Sequence, residues 1–555
     1  MPQTSNPRDP PHAAKGPPPA GKRRMRQGVA ILVVLVVLGG LALHWPFGRC
    51  EPASFRIVAG SGNAVFEPIL RRFAEQRCLA LDLTYQGSLD IMKRLETGTL
   101  DDDAIWDADS LWTTLGDEHH LIRDRESIMR SPVVLGIKRP VAARLGWIGA
   151  DVDVPAILAG IEREKLRLMM TSATQSNSGA SAYLGFLSAF SGSWDPLTVG
   201  DLRNPAVRVA LKTILMSIDR TSESSGWLRD LFAREYASYD GMFNYESHII
   251  ELNQSLVKQG RDPLYVVYPT PGLGIADFPL SYVDHGDRQK HEIFDALRRY
   301  LLSAAVQREF AAKGRRVGAV GTTPDAIDET VFNPAWGVDA KRVISPLRLP
   351  DAPVIREALD LYQSVLRKPS FTVYVLDFST SMSGEGERQV KRAMRILLDQ
   401  RQAREYLLQG SPDDITIIIP FDDEVRAPIL QKAALGNDQA DLMAMLGEVE
   451  RNQAGGGTDI YAPTAMALRA MRARGIDGRL PAVILMTDGR SQSGAIGEVA
   501  DAIAETGLKT VPVYAITFGD ADPSQLGALA ALTGGRVFDG TRDLIAAFRQ
   551  ARGSN

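Results

Sequence analysis

The sequence predicts an α/β protein of more than one domain, standing behind a membrane-spanning N-terminal segment. Three observations carry that expectation. Short apolar runs such as SFRIVAG and LALDLTYQG alternate with amphipathic stretches along most of the chain, which is the pattern of strands joined by helices. At 555 residues the chain is too long for one hydrophobic core, so two or three domains are expected. Near the start, KRRMR precedes GVAILVVLVVLGGLALHWPFG, a basic flank and then an apolar run long enough to cross a bilayer.

Residues 1–27, rich in Pro and polar groups, bury too little apolar surface to offset the entropy of ordering and are expected to be a disordered cytoplasmic tail. Residues 28–47 read as a signal anchor, because about 20 residues of helix span roughly 30 Å of hydrocarbon. Basic residues crowd the N-terminal side, and only Arg49 lies just beyond. The expected topology is therefore a single pass of a cell membrane, with the N-terminus cytoplasmic and the bulk of the chain extracytoplasmic. Trp45 suits the far interface. The alternative is a cleaved signal peptide, for which Gly40-Leu41-Ala42 offers a cleavage site, although the apolar run is long for one. Cys50 and Cys78 are the only two cysteines. On the oxidising side of a membrane they are expected to pair, with two unpaired buried thiols as the alternative.

Residues 54–345 continue the alternation. SFRIVAG reads as a strand, GSGN as a turn, and AVFEPILRRFAEQ as a helix with Val65, Ile69 and Phe73 four apart. LALDLTYQG is a second strand and SLDIMKRLETG a second helix. Residues 346–370 hold a Pro-rich linker and the helix VIREALDLYQSVLR. Beyond them FTVYVL, ITIII, AVILM and VPVYAI are continuous apolar runs, as strands covered on both faces should be. Val390, Met394, Leu397 and Leu398 share one face of an intervening helix. Residues 371–550 thus predict a doubly wound domain whose ligands sit at the C-terminal ends of its strands.

The first of those strands leads into a distinctive loop. In VYVLDFSTSMSG, Asp377, Ser379 and Ser381 stand at i, i+2 and i+4, a spacing that points all three the same way in an extended segment. Hard divalent cations prefer such oxygens, and Mg²⁺ takes six. NQAGGGTDI brings Thr458 behind three glycines, and AVILMTDGRS ends a strand in Asp488. The two aspartates balance a divalent charge, and the hydroxyls add neutral donors. DFSTS, GGGTD and TDG, in that order, resemble the von Willebrand factor type A domain with a complete metal-ion-dependent adhesion site. VYAITFGDAD and LAALTGGRVFDG are similar to that family's closing elements. The resemblance implies that Ser379, Ser381 and Thr458 bind Mg²⁺ directly, with Mn²⁺ or Ca²⁺ as substitutes, while Asp377 and Asp488 support it. It also implies that an acidic residue of a protein partner completes the shell.

The middle region carries a second resemblance. RIVAGSGNAVFEPILRRFAEQ, YQGSLDIMKRLETG, SPVVLGIKRPVAARLGW, TSATQSNSGASAYLGFL, YPTPGLGIADFPLSYVD and RRYLLSAAVQREFAAKGRRVG look like a bacterial extracytoplasmic solute-binding protein of the two-lobed, type 2 periplasmic class. GSGN and SNSG each precede a helix, whose N-terminus offers free N–H groups to a polar ligand. The resemblance implies that Ser61, Ser88, Ser178 and Tyr268 line a cleft between the lobes. It makes SPVVLGIK and VVYPTPG the hinge crossings. Asp107 and Asp109 near that cleft disfavour an anion and leave a neutral, cationic or metal-bound solute open.

Neither a phosphate loop, a dinucleotide fingerprint nor a nucleophile–base set is visible, so no enzyme is expected. A formal net charge of −4 gives no push toward nucleic acid. The expected function is a membrane-anchored binding protein that grips a protein partner through Mg²⁺ and carries a solute-receptor-like module. The alternatives are a solute receptor serving a membrane transporter and an assembly factor for a membrane complex.

Overall fold

Among the described residues the predicted alternation resolves into three sheets, two before residue 300 and one after residue 370. The computed structural model describes residues 52–192, 195–272, 274–318, 327–343, 347–426, 434–435, 438–517, 519, 522–541 and 543–554. The expected tail and membrane anchor and Cys50 lie outside them. Among the described residues no helix is long and apolar enough to cross a membrane. Cys78 is held in a disulfide. Ser54–Arg77 and Leu81–Asn555 make one compact unit; of the other, residues 52–53 and Cys78–Ala80 are described.

The strands of the first two sheets are β1 (Ala53–Gly60), β2 (Leu79–Gln86), β3 (Ala104–Trp106), β4 (Ile122–Ser127), β5 (Ser131–Lys138), β6 (Leu168–Thr171), β7 (Ile218–Ser222), β8 (Gly241–Tyr245), β9 (Leu264–Val267), β10 (Ile275–Ala276) and β11 (Pro279–Val283). One lobe is built on the order β2-β1-β3-β11-β4, the other on β10-β5-β8-β6-β7, with β9 also paired to β5. The helix after β1 begins at Glu67 rather than at Ala64, and Ser61–Phe66 forms a 3-10 turn. Pro68 explains the boundary, since it lacks an N–H and is tolerated only in a first turn. Val65 is consequently exposed, and Phe66, Ile69, Leu70 and Phe73 fill the core instead.

The hinge expectation is half right. The chain enters the second lobe between β4 and β5, directly before SPVVLGIK. It does not leave through VVYPTPG, because β9 still pairs with β5 there, from Leu135 opposite Val267 to Lys138 opposite Leu264. The return crossing lies between β10, which pairs with β5, and β11, which pairs with β3 and β4.

After the linker helix Ala352–Leu361, the third sheet comprises β12 (Ser370–Asp377), β13 (Ile415–Phe421), β14 (Ala434–Leu435), β15 (Leu480–Thr487), β16 (Val513–Thr517) and β17 (Arg536–Asp539). Its order is β14-β13-β12-β15-β16-β17. Every pairing is parallel except that of β13 with β14. The order reverses between β12 and β15, and such a switch point opens a crevice at the strand ends. Alternate residues of β12 face two cores: Tyr374 and Leu376 meet Val390, Met394, Leu397 and Phe548, while Phe371, Val373 and Val375 meet Leu468, Met471 and Val499. The period of two on a fully buried strand is the reason helices cover both faces. Phe548, on the C-terminal helix Leu544–Gly553, stacks on Tyr374 with ring centroids 5.6 Å apart.

Phe548→Ala is expected to lower the opening free energy of this domain by about 3–5 kcal/mol, the usual cost of emptying a buried aromatic site. Amide hydrogen exchange checks it: β12 and β16 lose protection, while β5 and β8 change less.

Candidate functional site

The C-terminal end of β12 gathers the predicted oxygen donors. Asp377, fully buried, accepts hydrogen bonds from the Ser379 backbone N–H at 2.7 Å and from the Thr487 hydroxyl at 2.5 Å. These hold Ser379 extended at the strand end; the chain then turns into a short 3-10 helix, Thr380–Met382, so a tight turn rather than the expected extended segment brings Ser381 beside Ser379. The Ser379 and Ser381 hydroxyls lie 3.0 Å apart, and Ser381 donates to Asp488 Oδ1 at 2.8 Å. Thr458 arrives from across the loop. A Cβ built on Gly489 would stand 3.0 Å from Ser381 Oγ and 3.3 Å from Thr458 Oγ1. The two hydroxyls therefore border one small space that a side chain at position 489 would fill.

The glycines before Thr458 allow that approach. Gly456 has φ +80°, and a Cβ there would meet Asp423 Oδ1 at 2.6 Å. Thr380 donates backbone and hydroxyl hydrogens to the Gly456 carbonyl, at 3.1 and 2.8 Å. Asp459 is a helix-capping residue that accepts from the Tyr461 and Ala462 N–H groups, and Asp422 pairs with Arg426 at 2.6 Å. Burial raises the Asp377 carboxyl above its ordinary value, opposed by Thr487 and Ser379, with the nearby Asp488 charge adding to the rise. Among the described residues no three His, Cys, Asp or Glu side chains form a cluster fit for a metal. The donor set here is instead two carboxylates and three hydroxyls, the hard-oxygen chemistry that suits Mg²⁺ or Ca²⁺ rather than a softer metal. Thr487 and Gly489 were not singled out from the sequence; both belong to the same TDG motif as Asp488.

The second site is a cleft between the first two lobes. Ser61, Asn63, Ser88, Ser176, Asn177 and Ser225 line it, with Glu223, His248 and Arg315. Two of the four predicted residues are there, Ser61 and Ser88. Ser178 is not: it is the second residue of its helix and bonds Thr171 and Ser225 at 2.8 and 2.7 Å, leaving Ser176 and Asn177 to face the cleft. Tyr268 is not there either. Its hydroxyl donates to Glu246 and accepts from the Asp339 N–H at 3.1 Å. Glu246 in turn accepts from Arg316 Nε and Nη2, both at 2.7 Å. A buried ion pair claims that tyrosine, so it is structural. The missed residues Glu223 and Ser225 lie in TSESSGW, which has the same Ser/Gly-before-helix signature as SNSG.

Asn177 joins the lobes by accepting from the Trp112 indole at 2.9 Å and donating to Tyr245 at 3.0 Å and Asp109 at 3.4 Å. Beneath the cleft Asp107 accepts from Ser88 and from the Ala108 N–H, both at 2.6 Å, through one oxygen; its other oxygen and the Asn63 carbonyl oxygen are buried without a partner. Burial pushes the Asp107 carboxyl up to about 6. Burial and the neighbouring Asp277 raise Asp109.

Between pH 4 and 6 folded Asp107 keeps a proton that the unfolded chain releases near its ordinary value of about 3.9. Its contribution to stability is thus full below pH 4 and lost as the pH rises through about 6. Asp107→Asn is expected to remove on the order of 2–3 kcal/mol of that pH-dependent loss relative to the parent chain, measured by urea unfolding at pH 4 and pH 7.

Comparison with known proteins agrees with this architecture. Residues 55–316 match the family described as bacterial extracellular solute-binding protein, and residues 373–543 match the von Willebrand factor type A domain. No curated protein matches. Among solved structures, a von Willebrand factor type A protein from Catenulispora acidiphila is 19% identical, covering 34% of this chain and 43% of its own, with a TM-score of 0.29. The substrate-binding protein of an ABC transporter from Agrobacterium tumefaciens is 11% identical over 56% of this chain and 90% of its own, TM-score 0.40. The ferric binding protein from Campylobacter jejuni is 14% identical over 56% and 98%, TM-score 0.41.

Proposed function

We propose that this chain, in which a bacterial extracellular solute-binding domain is followed by a von Willebrand factor type A domain, is a membrane-anchored, non-enzymatic binding protein that captures a protein partner at the end of β12. The observation that carries the reading is the convergence of Ser379, Ser381 and Asp488 within 3.0 Å hydrogen bonds, with Thr458 across the same space. Ser379, Ser381 and Thr458 would hold Mg²⁺, and Asp377 and Asp488 would offset its charge. When bound, the cation supplies a hard Lewis-acidic contact for an oxygen donor of the partner, most naturally a Glu or Asp carboxylate.

The chain's own residues do the rest. Asp377 fixes the loop by taking the Ser379 N–H and the Thr487 hydroxyl, so both serine hydroxyls are presented together. Two neighbouring aspartates without a cation repel each other, which disfavours the ion-free arrangement and favours a divalent ligand. Gly489 keeps the space between Ser381 and Thr458 clear. The basic flank and apolar run at residues 22–47 support the anchor, and the polar cleft supports a small ligand for the proximal module.

Gly489→Ala and Asp377→Ala are each expected to weaken Mg²⁺ binding at least tenfold, a loss of about 1.4 kcal/mol or more. Isothermal titration of Mg²⁺ into the chain, with circular dichroism as the control for folding, makes the check. Unchanged metal affinity in both variants would reject the site. Metal loss without any loss of partner capture would reject the mechanism alone.

A further inference from the structure

Solute-binding lobes exchange ligand by moving apart, yet here the C-terminal half of the chain holds both of them. The element most affected is the helix Ser88–Glu96 of the first lobe, whose first residue lines the cleft. It is gripped at both ends. Near its start Asp90 pairs with Arg549, a buried residue of the C-terminal helix. At its end Glu96 pairs with Arg356 of the linker helix at 2.7 Å, and Arg356 also reaches the Leu115 carbonyl and Glu118.

The same two helices, with strand β17, also grip the second lobe. Ser554, which caps the C-terminal helix, and Arg536, the first residue of β17, both bind the Glu223 carboxylate. Thr221 donates to the Gly553 carbonyl at 3.2 Å, and a Cβ on Gly553 would strike the Gln175 side chain at 2.5 Å. Arg536 also lies over the Trp227 ring at 5.0 Å. On the linker side, Tyr183 donates to the Ala358 carbonyl at 2.8 Å, and Lys368 pairs with Asp219 at 2.6 Å. Gln175 and Glu223 are cleft residues. The C-terminal helix therefore touches the cleft wall of one lobe and the helix that opens onto the cleft from the other.

We propose that the linker helix and the C-terminal helix strap the two lobes together, so that the cleft opens only when the von Willebrand factor A domain releases the first lobe. Release breaks the Asp90–Arg549 and Glu96–Arg356 pairs and frees the first lobe to move away, while Arg536 and Ser554 stay on Glu223 and keep that wall residue of the second lobe neutralised. Anything that stabilises the docked domain then slows solute exchange, and by linkage a solute that closes the lobes strengthens docking. The consequence for solute rests on reading the cleft as a ligand site; the strap itself does not, and its test uses neither solute nor metal.

The test is the interlobe distance in the full chain, held in lipid nanodiscs. Spin labels go on cysteines introduced at Gln289 of the first lobe and Lys212 of the second, both exposed. The parent is expected to give one narrow distance. Asp90→Asn with Glu96→Gln is expected to raise the ratio of long to short distances at least tenfold, as loss of two partly buried ion pairs should. Combining Asp90→Arg with Arg549→Asp is expected to restore the narrow distribution. A parent already spread over both distances, or a double variant as narrow as the parent, overturns the proposal. If the variants do not fold, hydrogen exchange on the unaltered chain decides. Amides 88–91 must exchange no faster than amides 545–551, and faster exchange at 88–91 overturns it.

Discussion

The C-terminal domain depends on one buried carboxylate at the end of its central strand. Asp377 is the last residue of a strand with neighbours on both sides, and it has no route to water. Burying a charge is costly unless hydrogen bonds compensate. Thr487 from the adjacent strand and the Ser379 N–H provide them. Those bonds also define the site, because the first ties together the two strand ends and the second anchors Ser379 at the start of the 3-10 turn that presents Ser381. The sheet order is what lets Asp488 meet them, since β12 and β15 are neighbours only because the chain reverses its strand order there.

A different logic governs the solute domain. Its cleft walls are the first turns of helices that begin at Ser61, Ser88, Asn177 and Ser225, and their unpaired N–H groups alone would favour an anion. Asp107 and Asp109 beneath them act in the opposite sense. The balance is a polar cleft with a buried acceptor under it, and Asn177 links the two lobes through Trp112 and Asp109. Glu223 belongs to this cleft and to the neighbouring domain at once.

Much of this was legible in the sequence. The continuous apolar runs gave β12, β13, β15 and β16, and the helix face of Val390, Met394, Leu397 and Leu398 is buried as the spacing required. The five donors were readable because each stands at a strand end or behind glycines, where local pattern and tertiary position coincide. Tyr268 and Ser178 show the limit. Each lies within a few residues of a loop of the right composition, but their surroundings are set by Glu246, Arg316, Thr171 and Ser225, which are supplied by other elements of the fold. The return hinge failed for the same reason, since strand pairing rather than the Pro and Gly content of VVYPTPG decides where a lobe ends. The Asp90–Arg549 contact, separated by hundreds of positions, has no local signature at all.

The parallel strands of the third sheet give the domain a polarity. Asp377 and Asp488 stand at the finish of β12 and just past β15, whereas Ser554 receives the Tyr514 hydroxyl near the beginning of β16. The contacts to Glu223 and the proposed cation edge are therefore at opposite poles of one rigid slab. An acidic side chain arriving at Ser381 does not compete for space with a molecule seated beside Glu223. Under the proposed function, two guests of unlike size would be carried at once, and a ternary complex, rather than an exchange of one for the other, would be the stoichiometry that follows.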